Sequence, residues 1–435
     1  MIKLRKEKRK ESDMEHILFI CNLLISIVGI LYAARIVYMA VGLFQTRTFA
    51  PAKALHTYAV VIAARNEEIV LKNLLNSIQK QDYPREKVQV FVVADNCTDS
   101  TAAVARENGA ICYERFDTEN ATKGYALQFL FQNIEKDFGI ESFDGYFIFD
   151  ADNLLKSDFI SRMNDAFDSG ERIITSYRNS KNFDDRWLAA GYALHWLRTV
   201  RFDNRGRSAL GLSSWVQGCG FLVASELLRD GWHYTTFAED RSFSSDAIAH
   251  GIRISYQHEA QFYDEQPTLL RIAWRQRIRW AKGHLQALGE SGKALFLGIF
   301  RRKTCRERFM CYDMLMLNFP SVMVTVPAKL AKAAVAVALF ILNSEFGFSA
   351  GMALFVALFE ILVFEHLGTI PMAWVVFITE RKRIPDMKWY KKLWYSLMFP
   401  IFSIMGDIAT WIAVFCKVTW KPIPHHADIR IDEIE

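Results

Sequence analysis

The chain has 435 residues, is 51% hydrophobic and 14% aromatic, and carries a formal charge of +5. That length holds two or three domain-sized units, and the uneven spread of apolar residues points to a membrane-embedded part beside a water-exposed one. The positive excess lies next to apolar segments, where it suits anionic lipid headgroups and not nucleic acid. Seven scattered cysteines without a Cys-x-x-Cys pair exclude a disulfide framework and a cysteine zinc site.

The first element is an apolar run over residues 16–44, interrupted by Arg35 and long enough to cross about 30 Å of hydrocarbon as a helix. A basic cluster from Lys3 to Lys10 precedes it and would hold the N-terminus inside, although a single first span must place it outside if the region that follows is cytoplasmic. Either this segment does not cross once, or translation begins at Met14, which would delete the cluster and remove the conflict; the second is expected.

Residues 58–64 (YAVVIAA) are a continuous apolar run of strand length, followed at once by Arg65-Asn66-Glu67-Glu68 and a helical period through Leu71, Leu74, Leu75 and Ile78. Residues 88–94 repeat the strand signal and stop at Asp95-Asn96-Cys97-Thr98-Asp99, with Thr98 or Ser100 expected to cap a helix through Ala105. A short strand over 111–113, a helix over 123–138 and a strand over 146–149 follow. The alternation predicts an α/β fold with a parallel sheet covered on both faces. The last of these strands ends at Asp150-Ala151-Asp152. Carboxylates at the carboxyl edge of an open sheet face its binding crevice, and Asp-x-Asp suits a hard divalent cation that shares its shell with phosphate oxygens. Asp95 falls on the same edge. Neither Gly-x-Gly-x-x-Gly nor Gly-x-x-x-x-Gly-Lys-Ser/Thr is present, so phosphate would be held by metal and basic side chains and not by a backbone cradle.

Beyond the sheet come Gly218-Cys219-Gly220, Ala238-Glu239-Asp240 and Gln276-Arg277-Ile278-Arg279-Trp280, the last inside a helix expected over 267–287. At i, i+3 and i+4, Gln276, Arg279 and Trp280 share a helix face. Residues 293–312 alternate basic and apolar groups and predict a helix lying on the membrane surface. Three further apolar segments follow: 313–342 with Lys329 and Lys332, 349–379 with Glu360, Glu365 and His366, and 394–416 with Asp407. Ionisable groups so placed are expensive in lipid and predict a polar passage or a protein interior. The basic loop over 380–393 sets the inside, which places residues 45–312 in the cytoplasm and the loop over 343–348 outside. His258, His284, His425 and His426 form no metal-spaced cluster.

Taken in order, Ala64-Arg65-Asn66-Glu67, Ala94-Asp95-Asn96-Cys97-Thr98-Asp99, Lys123-Gly124, Asp150-Ala151-Asp152, Gly218-Cys219-Gly220, Ala238-Glu239-Asp240 and Gln276-x-x-Arg279-Trp280 make the chain resemble the membrane-integrated family 2 glycosyltransferases, which include cellulose, hyaluronan and poly-N-acetylglucosamine synthases. The resemblance covers about half of the chain. It implies a GT-A type mixed sheet with helices on both faces plus transmembrane helices: an N-terminal tail and span over 1–50, a cytoplasmic glycosyltransferase domain over 51–292, the interfacial helix over 293–312, and a membrane region of about three spans over 313–435.

By the same resemblance, Asp240 is the catalytic base. Ala64, Asn66, Glu67, Asp95, Lys123, Asp150, Gln276, Arg277 and Arg279 line the donor nucleotide, Asp150 and Asp152 hold Mg2+ or Mn2+, and Cys219, Glu239 and Trp280 border the acceptor. The implied donor is a nucleotide sugar of the UDP class, and the implied acceptor is a growing glycan or a lipid. An accessory subunit is compatible with it, and the implied location is the plasma membrane, multi-pass, in service of the cell envelope. Two positions depart from the family pattern: Ala238 stands where Thr is usual, and Ala94-Asp95-Asn96-Cys97 replaces Asp-Asp-Gly-Ser and keeps only its second acid. Residues 415–421 (FCKVTWK) resemble the synthases' mobile loop with the spacing off by one.

Overall fold

The computed structural model describes residues 2–342, 355, 359, 365–423, 425 and 427–434. Its centre is an eight-stranded sheet formed by β1 (Tyr58–Ala64), β2 (Val88–Asp95), β3 (Ile111–Arg115), β4 (Gly145–Asp150), β5 (Leu154–Leu155), β6 (Ile173–Ser180), β7 (Phe221–Ala224) and β8 (Ile254–Asp264). The strand order is β3-β2-β1-β4-β7-β6-β8-β5. The first four neighbours are parallel, as their alternation with helices Glu68–Gln79, Thr101–Glu107 and Lys123–Asp137 requires.

The second half departs from an all-parallel sheet. β7 runs antiparallel to both β4 and β6, and β5 antiparallel to β8. An antiparallel partner must begin at the end where its neighbour finished. The excursion between β6 and β7, which contains helix Trp187–Arg198, therefore leaves and rejoins the sheet at one end. That end carries the site.

Period two separates the two faces of β1. Ala59 and Val61 join one core with Leu127, Leu130 and Phe243, whereas Tyr58, Val60, Ile62 and Ala64 join another with Leu71, Leu74, Phe149 and Phe159. A third core, with Leu188, Tyr192, Phe377, Phe399 and Phe402, welds helix Trp187–Arg198 to the C-terminal helices.

Among the described residues, two helical stretches, Ser12–Phe44 and Trp389–Phe415, are long and apolar enough to cross a membrane. Cys305–Asn318 and Val322–Val335 form a third if their 59° bend lies within one span. The first stretch breaks at Ala33, just before Arg35. The segment expected over 313–342 is interrupted at Phe319–Ser321, so Asp313 belongs to the helix before the bend, where it accepts hydrogen bonds from Tyr38 Oη (2.9 Å) and Arg207 Nε (2.7 Å). The span expected over 349–379 and the loop over 343–348 fall mostly outside the described residues; helix Thr369–Thr379 is the clearly described part.

Two local expectations are corrected. Residues 293–312 are not one helix: 293–301 complete Leu270–Arg301, and Cys305–Asn318 starts after a break in which Thr304 accepts the Glu307 N–H. Neither Thr98 nor Ser100 caps the helix after β2. Asp99 Oδ1 does, taking the Thr101 N–H at 3.1 Å and its hydroxyl at 2.6 Å, because a carboxylate outcompetes a hydroxyl for amides at the positive helix end.

Candidate active site

β1 and β2 end side by side, and each turns through an asparagine in the left-handed region: Asn66 at φ 56° and Asn96 at φ 53°. Asparagine tolerates that conformation better than most L-residues. Asn66 Oδ1 accepts the Thr98 N–H at 2.8 Å, which ties the two turns together. Asn66 thus shapes the edge and does not line the cavity below. The turn brings Arg65 back over Asp95, donating from Nε to the Asp95 carbonyl at 2.9 Å and pairing with its carboxylate. Arg115, opposite Asp95 in the β2–β3 register, donates to Asp95 Oδ1 at 2.7 Å.

One strand over, Asp150 and Asp152 leave β4. Asp152 Oδ2 accepts the Glu265 N–H at 2.7 Å. Lys123, the first residue of its helix, pairs with Asp150, stands 3.5 Å from Glu239 Oε1 and donates to the Gly218 carbonyl at 2.8 Å. Gly124 follows because the Tyr234–Thr235 backbone crosses here: a Cβ on it would lie 2.1 Å from the Tyr234 carbonyl oxygen. Despite burial, Lys123 holds Asp150 below the usual carboxylate range. Burial pushes Glu239 up to about 7, with Asp240 and Asp150 adding to it against Lys123, and raises Asp240 as well.

Cys219 sits between Gly218 and Gly220 and is 1% exposed. Gly220 has φ +67°, and a Cβ there would meet the Phe262 ring at 2.2 Å, so only glycine fits the turn. Burial, then Asp150, pushes the Cys219 thiol far up, which makes it a packing group behind the carboxylate and not a cavity wall.

Helix Leu270–Arg301 closes the site. Gln276, Arg279 and Trp280 line the cavity on one face, with Gln276 Oε1 and Arg279 Nε buried and unpartnered. Trp280 packs edge-on against Tyr192 and Trp196. Arg277, one position off that face, points away: its guanidinium lies 3.6 Å from the Phe402 ring centroid in helix Trp389–Phe415. It packs on helix Trp389–Phe415 and stays off the cavity lining. Ala64, Glu67, Asp95, Lys123, Asp150, Asp152, Glu239, Asp240, Gln276, Arg279 and Trp280 all line one cavity of about 360 Å³; Asn66, Cys219 and Arg277 do not.

A family described as "Glycosyltransferase like family 2" matches residues 56–283, just over half of the chain and all eight strands of the sheet. The chain belongs to this family. Among curated relatives, it is 24% identical over 235 residues to the beta-monoglucosyldiacylglycerol synthase of Nostoc sp., covering 52% of this chain and 49% of that one. It is 23% identical over 235 residues to the poly-beta-1,6-N-acetyl-D-glucosamine synthase of Staphylococcus aureus, covering 52% and 54%. The chain spans about half the length of the curated relatives it matches. The fold is that of the mannosyltransferase PcManGT of Pyrobaculum calidifontis, solved with GDP-Man and Mn2+, at a TM-score of 0.58 and 17% identity over 92% of this chain and 99% of that one.

Within this family 2 domain, several cavity residues escape motif reading. Arg178 on β6 pairs with Asp264 at the end of β8, donating from Nε at 2.8 Å, and lies 3.8 Å from the Trp196 ring centroid. Burial, opposed by Arg178 and increased by Asp152 and Asp150, pushes Asp264 up to about 6. The segment after helix Trp389–Phe415 returns to the site: Trp420 stacks 4.4 Å from the Arg65 guanidinium, and His425 Nδ1 bonds Glu67 Oε1 at 2.8 Å. Against burial, Asp152 and Glu67 push His425 up to about 10. The signal for Trp420 lay in FCKVTWK; His425 had none, because His425 and His426 belong to no metal-spaced cluster and lie outside every motif.

Among the described residues, no group of three or more His, Cys, Asp or Glu side chains is arranged to hold an ion alone. The donor set still fits Mg2+ or Mn2+. Asp150 and Asp152 offer hard oxygens on a cavity wall that also carries Asp264, Glu265 and Glu67, and such cations commonly take one or two carboxylates and complete their shell with water and substrate phosphate.

Proposed function

We propose that this chain is an inverting glycosyltransferase that moves a sugar from a nucleotide-diphosphate sugar, a UDP-sugar, onto a growing polysaccharide, acting processively at the plasma membrane. The observation that carries the reading is the convergence of Asp95, Asp150, Asp152, Asp240 and Arg279 on one cavity wall. Asp95, steadied by two arginines, meets the nucleotide base, while Asp150 and Asp152 hold Mg2+ or Mn2+. When bound, the ion neutralises charge on the departing diphosphate. Arg279, whose Nε has no partner among the described residues, donates to the same oxygens. Asp240, raised by burial, takes the proton of the acceptor hydroxyl as the acceptor oxygen bonds to the anomeric carbon. The bond to the diphosphate oxygen breaks, its electron pair leaves with the nucleoside diphosphate, and attack from the opposite face turns an α-linked donor into a β-linkage. Trp280 presents an apolar ring to the acceptor sugar, and the product passes outward through the chain's own membrane helices.

A second reading, transfer of a single sugar to a lipid, is favoured by the likeness to the Nostoc enzyme and by Arg35 of the first span reaching the cavity. Incubating the purified protein with a panel of nucleotide sugars and Mn2+ and sizing the product separates the two: a ladder of glycans supports the polymer reading, and a single-sugar lipid refutes it. Asp240→Asn is expected to reduce acceptor-dependent diphosphate release by about 10²–10⁴-fold. Unchanged release would remove Asp240 from the role of base.

A further inference from the structure

The cavity does not end at the catalytic carboxylates. It continues to Arg35 in the stretch Ser12–Phe44, to Arg198 at the end of helix Trp187–Arg198, to Arg241 and to Leu317. Among the described residues, the side chains of these three arginines make no hydrogen bond or ion pair. Arg198 Nε and both Nε and Nη1 of Arg241 are buried without acceptors, although Arg241 is only 9% exposed. Arg35 is close enough to act on the other two: after burial, it depresses the pKa of both Arg198 and Arg241. Arg35, for its part, has only the Tyr32 ring at 4.7 Å.

Nearby Arg207 does not share this condition. Fully buried, it is matched by Asp313, which takes its Nε at 2.7 Å and its Nη2 at 3.1 Å. The carboxylates that answer the three open arginines are Asp203, itself 3.5 Å from Arg207, and Asp240. Three guanidinium charges facing two carboxylates leave one positive charge in excess, together with unpaired donors in a confined space. Buried guanidinium donors are costly to leave unmet, and their planar fork matches an oxyanion.

We propose that this membrane end of the cavity binds a singly charged oxyanion carried by the acceptor, either a phosphodiester or a carboxylate, through Arg35, Arg198 and Arg241. The proposal rests on the glycosyl-transfer reading, and narrows its acceptor to one bearing such a group next to the reacting sugar. The two sources of that chemistry are a lipid-linked sugar phosphate and an acidic sugar of the growing glycan.

The test measures binding directly, so that it does not depend on turnover. The full chain in detergent micelles is titrated by calorimetry with three probes: farnesyl-phosphoglucose for the lipid source, methyl β-glucuronide for the acidic glycan, and methyl β-glucoside as the neutral control. At least one anionic probe is expected to bind about tenfold or more tightly than the glucoside, as a charge-assisted contact implies, and the tighter of the two identifies the source. Arg198→Gln and Arg35→Gln are expected to erase the preference, and Arg198→Lys to restore part of it. Binding of nucleotide diphosphate with Mn2+ in the same variants verifies that they are folded. Equal binding of all three probes, or a preference that survives Arg198→Gln and Arg35→Gln, overturns the proposal. Failure of glycosyl transfer is read separately, from nucleotide diphosphate release by the unmodified chain.

Discussion

Glu239→Gln is expected to make the protein more stable at pH 8 and to change its stability far less at pH 5. Glu239 is 7% exposed, 3.5 Å from Lys123 and adjacent to Asp240. Burial, reinforced by Asp240 and Asp150, lifts it from an ordinary value of 4.5 to about 7. A carboxyl raised on folding keeps its proton in the native chain after the unfolded chain has released it. Its contribution to stability is therefore intact below 4.5 and is lost as pH climbs toward 7, by roughly 3 kcal/mol at about 1.4 kcal/mol per unit. Glutamine mimics the protonated form at every pH and so escapes that loss. For a chain of this length the gain is a rise of roughly 3 °C in apparent melting temperature at pH 8. Thermal unfolding in detergent at fixed scan rate, without donor, reads it. A shift of equal size at pH 5, or a fall at pH 8, would refute the reasoning: the first would mean that the gain does not come from titration of Glu239, and the second that Glu239 is ionised and well paired.

His258 gives a dependence on the opposite side. Burial, then Arg383 and Arg205, holds it at about 2 against an ordinary 6.5, so the native chain rejects a proton that the unfolded chain takes. Stability is expected to fall below pH 6.5, by about 2 kcal/mol at pH 5, and His258→Gln to flatten that arm of the profile. Gly124→Ala drives a Cβ to 2.1 Å from the Tyr234 carbonyl oxygen and is expected to cost about 1–3 kcal/mol or more, read as a lowered melting temperature; a neutral result would mean that the crossing is looser than described. Asp152→Asn is expected to abolish the Mn2+-dependent part of nucleotide-sugar binding in calorimetry, and retention of that part would remove Asp152 from the metal site.

Much of the site was legible because motif chemistry sits where strands end. Tyr58–Ala64, Val90–Ala94 and Tyr146–Phe149 are continuous apolar runs, so Ala64, Asp95 and Asp150 had to emerge where those runs stop, at one edge. Likewise, the spacing of Gln276, Arg279 and Trp280 fixed a shared helix face. Arg277 shows the limit of motif transfer: a position inside a signature can still lie one step off its face and be claimed by Phe402. Cys219 shows another, since its glycines are required by Phe262 and its thiol is buried behind Asp150.

The sequence by itself determined the strand-and-turn grammar, the carboxylate edge and the amphipathic face of the closing helix, because these depend on periods of two and 3.6 and on where apolar runs stop. Only the tertiary structure decided that β7 enters antiparallel, that His425 and Trp420 return from beyond helix Trp389–Phe415 to Glu67 and Arg65, and that Arg35, Arg198 and Arg241 share one cavity. Those pairings join residues from tens to more than three hundred positions apart through packing, and packing leaves no local period in the chain to read.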